Sequence, residues 1–289
     1  MIRRLLQAML CCLVLNGHAA DSQLVFPQYF AVADSRNEFD WIVLRTALEK
    51  TRASHGAYSV GAWREPLSVP RMLQELGMPN GRINVIARAT DRELEIRFNP
   101  IRIPIDRGLM GYRLLLVRRA DLPRFAKVRT PEDLKRFSAG QGKGWIDTEV
   151  LTANRISVVE SPRPESLYGM LEAGRFDFYP RALDEAHREM EFQRKQRPGI
   201  AIEPTLLLRY TLPRYFFVRR DAEGHKLAQR IKVGMEIMVQ DGSLAALFRQ
   251  HKGPMIERSA IGKRRIIDLP HPTLPPETPL HRSELWFKP

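Results

Sequence analysis

The sequence has 289 residues, of which 44% are hydrophobic and 27% are charged. This composition is typical of a globular protein, and the chain is long enough for one large domain or two modest ones. Lysine and arginine outnumber aspartate and glutamate by 46 to 33, a formal net charge of +13 without a long basic run. Such a surface attracts anions, but zinc-finger spacing and an aromatic-plus-basic RNA-binding pattern are absent, so no nucleic-acid partner is expected.

The first twenty residues have the pattern of a cleavable signal peptide. Residues 1–4 form a positive region with two arginines, and residues 5–15 are apolar but too short for a stable membrane anchor. Residues 17–20 then offer small residues for cleavage after Ala19 or Ala20. An uncleaved N-terminal anchor is the alternative. Both cysteines, Cys11 and Cys12, lie in this segment, so the exported chain would use neither disulfides nor thiol chemistry. The expected location is the periplasm.

The next part of the chain alternates strands with helices, which favours a parallel sheet with helices on its faces. In order, the periodicity predicts a strand at Leu24–Phe30, a helix at Asn37–Lys50, a strand at Tyr58–Trp63, a helix at Val69–Leu76 and a strand at Ile83–Ala89. After a break rich in proline and glycine comes a buried strand at Tyr112–Val117. Thr130 and Pro131 then open a helix that is predicted to run to about Phe137, with Thr130 as its N-cap.

A glycine-punctuated turn follows, containing Gly140, Gly142 and Gly144 between a short strand and a helix that starts near Asp147. Backbone N–H groups in such a turn can approach a ligand closely, and a helix N-terminus favours negative charge. An ordinary surface turn is the alternative.

The second half continues the alternation and ends in a proline-rich tail. Strands are predicted at Ile156–Val159, Phe176–Tyr179, Ala201–Leu208 and Tyr215–Val218, and helices at Glu165–Ala173, Leu183–Lys195, Gly224–Gln240 and Leu244–His251. The last stretch, from Asp268, contains six prolines, five of them between residues 270 and 279. It is therefore expected to be an extended tail that lies on this protein's surface or on a partner.

Four short segments in this order carry a resemblance to a known family. They are Thr130–Leu134, the glycine turn at Gly140–Thr148, the segment Met170–Asp177 with its Gly-Arg-Phe-Asp, and Asp241–Leu244 with its Asp-Gly-Ser helix opening. Together with the order of strands and helices, they resemble the type II periplasmic solute-binding proteins, in particular the family-3 group that serves uptake of polar amino acids. The resemblance covers roughly residues 22–255.

The resemblance implies an α/β, two-lobed periplasmic-binding-protein-like II fold with two hinge crossings, near residues 112 and 210. The expected organisation is a signal peptide at 1–20, a first lobe at 21–112 plus 211–267, a second lobe at 113–210 and a C-terminal tail at 268–289. Closure of two lobes around a ligand is a shift between open and closed populations.

The resemblance also places candidate ligand-binding residues. The family grips a ligand carboxylate with a T-x-x-R segment, and this chain has Thr90 with Arg92 one position early. Where the family has an aspartate for the ligand ammonium, this chain has Ala182 beside Arg181, which favours a polar or anionic ligand unless Arg181 pairs with an acid of the next helix. The remaining candidates, chosen by position or as aromatic surfaces, are Tyr29, Trp63, Gly142, Trp145 and Tyr179.

No catalytic pattern accompanies these candidates. The histidines have no metal-ligand spacing, and no G-x-S-x-G occurs, so neither catalytic residues, nor a metal, nor a cofactor is predicted. The sequence therefore predicts a monomeric binding protein that captures a small polar or anionic solute, amino-acid-like solutes included, for an ABC-type transporter permease or a membrane sensor. The alternatives are a dehydratase-like enzyme on the same fold and an envelope interaction protein that uses the basic surface and the tail.

Overall fold

A computed structural model describes residues 22–27, 38–63 and 67–289. The predicted signal peptide and Tyr29 lie outside these ranges.

The strands are β1 Ser22–Pro27, β2 Tyr58–Trp63, β3 Ile86–Ala89, β4 Asn99–Ile101, β5 Tyr112–Arg118, β6 Ser138–Gly142, β7 Ser157–Ser161, β8 Phe178–Ala182, β9 Ile200–Ile202, β10 Leu206–Arg209, β11 Arg214–Val218 and β12 Arg265–Asp268. The helices are α1 Glu38–Lys50, α2 Arg52–His55, α3 Val69–Gly77, α4 Arg92–Arg97, α5 Leu122–Phe125, α6 Pro131–Leu134, α7 Ile146–Ala153, α8 Leu167–Glu172, α9 Leu183–Gln196, α10 Ala222–Gln240 and α11 Ser243–Arg258.

One group of elements surrounds a small sheet with the strand order β3-β11-β4, and we call it the first lobe. Its middle strand, β11, is antiparallel to both neighbours. Phe216 faces the cluster formed with α1 and α10, whereas Tyr215 and Phe217 face a separate cluster that contains Met72 of α3. A parallel pair, β1 and β2, is joined to this region by Asn84, whose side chain bonds the backbone of β1.

The other group surrounds a seven-stranded sheet, and we call it the second lobe. Six of its strands follow the order β12-β10-β5-β8-β6-β7, and the seventh, β9, pairs with β5. The pairs β6–β7, β6–β8 and β10–β12 are parallel, whereas β5 is antiparallel to β8, β9 and β10. The larger sheet is therefore mixed and the smaller sheet is antiparallel, and neither is parallel throughout as predicted. The reason is that β5 and β11 are entered from the crossings between lobes and not through a helix of the same lobe.

Local signals in the sequence account for several element ends. Thr130 and Asp133 form a capping box at α6, although the helix ends at Leu134 and not near Phe137. The predicted strand at Ala201–Leu208 is two strands, because the Glu203 carboxylate accepts the N–H groups of Thr205 and Leu206 and turns the chain there. Helix α11 runs seven residues past the predicted end at His251, through Pro254, and places Met255 against the core.

The chain crosses between the lobes before β5, again between β10 and β11, and a third time between α11 of the first lobe and β12 of the second. The first two crossings lie side by side, since Tyr210 N donates to Gly111 O at 3.1 Å. The predicted lobe boundaries place residues 265–267 in the first lobe, whereas β12 pairs with β10 of the second lobe. Apart from this segment, the boundaries stay a prediction.

The C-terminal tail lies on the protein's own surface. Its residue Leu285 is fully buried, and Trp286 and Phe287 pack against the main core cluster. Of the two predicted positions of the tail, the one on this protein's own surface is therefore confirmed. The interaction-protein alternative, which also rests on the basic surface, stays a prediction.

Candidate functional site

A cavity of about 400 Å³ lies between the two lobes. The first wall is the part of the lining that the first lobe supplies, from α1, β3, β11, α11 and the first crossing. The second wall is the part that the second lobe supplies, from β5, β8 and the starts of α7 and α9. The volume is at the lower end of the range of small-molecule sites. Charged side chains contribute to both walls, so the partners of each charge decide what the cavity can bind.

Arg181 of β8 lies in the second wall, and its charge is compensated within the second lobe. Its guanidinium donates two hydrogen bonds to Glu189, at 2.8 and 2.6 Å, and lies 3.2 Å from Glu185. The Tyr168 hydroxyl also donates to Glu189. Burial alone would lower the pKa of Arg181, but the two carboxylates outweigh burial and raise it, so the side chain stays charged.

The sequence favoured an anionic ligand on the condition that Arg181 has no acidic partner in the next helix. The structure does not meet this condition. Arg181 pairs with acids of the following helix, and the principal partner is Glu189, eight residues along the chain. Whether Arg181 also contacts a ligand stays a prediction.

Arg113 of β5 is the other cation of the second wall, and it is compensated as well. Its guanidinium donates to Asp147 at 2.9 and 3.3 Å and to the Tyr210 hydroxyl at 2.8 Å, while that hydroxyl donates to Asp147. The first turn of α7 is thereby tied to the second crossing, because Tyr210 follows β10 directly.

Trp145 covers the glycine turn and contributes an aromatic surface to the second wall. Its ring lies 4.9 Å from the Arg181 guanidinium carbon. The ring also lies over Gly142, where an added Cβ would be 2.4 Å from the indole, so only glycine fits beneath it. Gly142 itself is buried and does not line the cavity.

The backbone donors of this turn are used internally. Lys143 N donates to Ser161 O at 2.9 Å, Trp145 N donates to Gly142 O at 3.1 Å, and Gly144 N points to the Glu160 carboxylate at 3.4 Å. The turn therefore shapes the cavity more than it offers N–H groups to a ligand.

The first wall contains one compensated pair. Arg214 of β11 donates to Asp40 of α1 at 2.9 and 2.6 Å, and Asp40 is buried. This ion pair holds α1 against β11, two elements of the first wall that are far apart in the sequence.

Asp106, in the first crossing, is a buried carboxyl that lines the cavity. It accepts the N–H groups of Gly108 at 3.1 Å and Met110 at 2.9 Å. Burial raises the pKa of Asp106 to about 6, although Arg214 and the Met110 N–H lower it in part. A carboxyl with this pKa changes its charge in a mildly acidic solution.

Two cations of the first wall lack carboxylate partners among the described residues. Arg88 of β3 is half-buried, and its side chain makes no hydrogen bond or ion pair with the part of the chain that the structure describes. Lys252 of α11 lies over the Phe39 ring, with its Nζ 5.0 Å from the ring centre. Arg88 was not among the residues predicted from the sequence. It could have been found as the one charged residue of β3, whose other residues are apolar.

The predicted pair Thr90 and Arg92 lies beside the cavity but does not line it. Thr90 is fully buried and donates to Glu95 at 2.6 Å. Asp91 caps α4 by accepting the Leu94 N–H at 2.6 Å, so Arg92 is the first residue of that helix and is exposed. Their role in ligand binding stays a prediction.

Within the described ranges, the other aromatic candidates, Trp63 and Tyr179, also lie away from the cavity lining. Trp63 ends β2 beneath the guanidinium of Arg82, at 4.9 Å. Tyr179 is buried within β8 against Tyr168. Of the predicted residues that the structure describes, Trp145 and Arg181 line the cavity.

Within the described ranges, no group of three or more histidine, cysteine, aspartate or glutamate side chains is arranged to hold a metal ion. Among the same residues, no helix is both long enough and apolar enough to span a bilayer.

No protein-family model and no curated protein matches this sequence. Solved structures match the fold. An ancestral arginine-binding protein bound to arginine is 18% identical with a TM-score of 0.50, covering 79% of this chain and 97% of that one. An amino acid ABC transporter substrate-binding protein from Streptococcus pneumoniae, bound to L-arginine, is 13% identical with a TM-score of 0.51, covering 79% and 93%.

A third match is an ancestral amino-acid-binding protein described as a precursor of cyclohexadienyl dehydratase. It is 11% identical with a TM-score of 0.51, and the match covers 79% of this chain and 94% of that one. At these identities the likeness concerns the fold, and it confirms the fold that the sequence motifs predicted. The chain has a two-lobed, mixed α/β fold like that of periplasmic binding proteins.

Proposed function

We propose that the protein is a periplasmic solute-binding protein that captures a small polar solute between its lobes and delivers it to an ABC-type transporter permease or reports it to a membrane sensor. The observation that carries the proposal is Arg88, a cation in a cavity between two lobes that has no carboxylate partner among the described residues. A guanidinium binds a carboxylate through two parallel hydrogen bonds, and such bonds are strong in a partly buried site.

The chemistry of the two walls supports a solute with a carboxylate or similar anionic group. Arg88 would receive that group, while Trp145 would cover an apolar or planar part of the ligand from the second wall. Asp184, which also lines the second wall, accepts the N–H of Glu185 at 3.0 Å and could receive a positive group of the ligand. Organic acids and amino-acid-like solutes both fit this arrangement, and two proteins of similar fold were solved with arginine bound.

Thermal unfolding in the presence of single solutes tests the proposal, because a ligand that binds the folded state raises the melting temperature. The panel should pair amino acids with organic acids of matched size, and calorimetry should follow each hit. We expect Arg88→Gln to weaken binding of the hit about 10- to 100-fold, the equivalent of one hydrogen bond to a charged group. Arg194→Gln, on the exposed end of α9, is the matched control.

The variant Arg92→Gln tests whether the ligand carboxylate is held by Arg88, as we propose, or by Arg92, as the sequence predicts. If Arg92→Gln weakens binding and Arg88→Gln does not, the ligand carboxylate is held as the family motif implies and Arg88 is not its partner. If no solute of the panel raises the melting temperature, the binding proposal fails.

An enzyme is the second candidate, because Asp106 has a pKa near 6 beside the cavity. A carboxyl with such a pKa can act as a general acid or base near neutral pH. Mass spectrometry of a bound solute after long incubation would detect loss of water, and Asp106→Asn should abolish it. A solute recovered unchanged after many binding half-lives excludes this candidate for that solute.

A further inference from the structure

The C-terminal tail contacts both lobes. On the second-lobe side the chain enters it from β12, which pairs with β10. Leu269 N then donates to Arg209 O at 2.8 Å. The Asn154 amide donates to Pro270 O at 2.8 Å, and the Thr273 hydroxyl donates to Glu149 of α7 at 3.0 Å. The first part of the tail is therefore attached to the second lobe.

The rest of the tail is attached to the first lobe. Thr278 is buried beside the Tyr215 hydroxyl of β11. Arg282 donates two hydrogen bonds to Glu236 of α10, at 2.7 and 2.8 Å. Leu285 is fully buried in the main core cluster.

The end of the tail rests on the first crossing itself. Phe287 N donates to Arg107 O at 2.8 Å, and the Arg107 guanidinium donates to Glu284 O at 3.1 Å. Trp286 lies against Gly108, where an added Cβ would be 2.6 Å from the indole ring and where φ is +76°. The crossing that carries Asp106 into the cavity is thus covered by the tail.

The segment between the two sets of anchors is short and stiff. Thr273 belongs to the second-lobe set and Thr278 to the first-lobe set, so at most about 18 Å of chain separates them even when fully extended. Leu274, Pro275 and Pro276 fill most of this segment, and the proline rings fix φ and so stiffen the backbone. Thr278 N donates to Pro275 O at 3.0 Å, so the chain turns there and the segment is shorter than its extended limit.

We propose that the C-terminal tail is a further connection between the lobes, besides the three backbone crossings, and that it limits how far the lobes rotate apart. Backbone crossings by themselves permit hinge rotation, whereas a short strut anchored on both lobes permits only rotations that preserve its length. This inference concerns the mechanics of the fold and does not depend on which solute the cavity binds.

Lengthening the strut, without removing either set of anchors, tests the inference. Eight Gly/Ser residues inserted between Leu274 and Pro275 leave the docked parts of the tail intact. The matched control has the same insertion between Pro79 and Asn80, an exposed loop within the first lobe. Spin labels on cysteines introduced at Ile96 and Lys127, exposed positions on the first and second lobes, report the distance between the lobes in a chain from Asp21 onward, which has no other cysteine.

We expect a broader distance distribution with an added long-distance component in the strut variant, and an unchanged distribution in the control. Identical distributions in the strut variant and the unmodified protein overturn the proposal. Should the insertion prevent folding, the double variant Asn154→Ala, Thr273→Ala removes two second-lobe anchors and is measured in the same way. Both measurements are made without solute, so they can fail while the binding proposal stands.

Discussion

The two walls of the cavity handle charge differently. In the second wall, Arg113 and Arg181 are each bonded to carboxylates of their own lobe. In the first wall, Arg214 is bonded to Asp40, but Arg88 has no such partner among the described residues. The second wall is therefore largely complete by itself, whereas the first wall contains a cation that a ligand could neutralise. A charge inside a cavity identifies a binding residue only when its partners in the same protein are known.

Breaking the compensated pair of the second wall should have the largest effect on stability. Arg181→Met leaves Glu185 and Glu189 without their shared cation, and loss of one partner of a buried ion pair costs about 3–5 kcal/mol. The free energy of unfolding from urea denaturation measures this cost. The double variant Arg181→Met, Glu189→Met should recover part of it, because fewer uncompensated carboxylates remain. A single variant as stable as the unmodified protein would show that Arg181 is not structurally paired.

Asp106, in the first wall, should make the free energy of unfolding of the protein depend on pH. Its pKa is about 6 in the folded protein against an ordinary value of 3.8, so the folded state holds its proton where the unfolded chain has lost it. The contribution of Asp106 to the free energy of unfolding is fully present below about pH 4. It is lost as the pH rises through about 6, a change of about 3 kcal/mol.

Urea denaturation at a series of pH values, with Asp106→Asn alongside, measures this effect. The stability of the unmodified protein relative to the variant should fall between about pH 4 and pH 6 and stay level above that range. Parallel stability profiles for the two proteins would contradict the raised pKa.

Displacing the aromatic surface of the second wall should have a smaller effect. In Gly142→Ala the new methyl group would lie 2.4 Å from the Trp145 ring, so the ring must move, at a cost of about 1–3 kcal/mol. Gly144→Ala is the comparison: φ there is +76° but no atom lies within 4 Å of the added Cβ, so backbone strain alone costs about 1 kcal/mol. Urea denaturation gives both costs, and indole fluorescence should change in Gly142→Ala alone. Equal costs and equal spectra would mean that Trp145 is not packed on Gly142.

Arg88→Gln should have the smallest effect on stability. No hydrogen bond or ion pair with the described residues is lost, so the free energy of unfolding should change by no more than about 0.5 kcal/mol. The same urea series measures it. A loss comparable with that of Arg181→Met would mean that Arg88 is a structural residue, and its assignment to the ligand would then have to be withdrawn.

Sequence patterns predicted most elements of the fold because the determining interactions are local. The capping box at Thr130 and Asp133 lies within four residues, and the apolar stripes of α1 and α10 repeat within a few turns. Helix α4 was missed because it is short, although Asp91 caps it. Strand β12 was missed because its four residues acquire a partner only when β10 lies alongside.

The sequence by itself determined the order of strands and helices and, through four short segments, the two-lobed fold. It also brought Arg181 and Trp145 forward as cavity residues. The tertiary structure decided which charges have partners, because the partners come from distant positions: Arg113 meets Asp147, Arg214 meets Asp40, and the tail reaches both lobes. The free energy of a buried charge depends on the groups within a few ångströms, and in this protein those groups are set by the packing of elements and not by spacing along the chain.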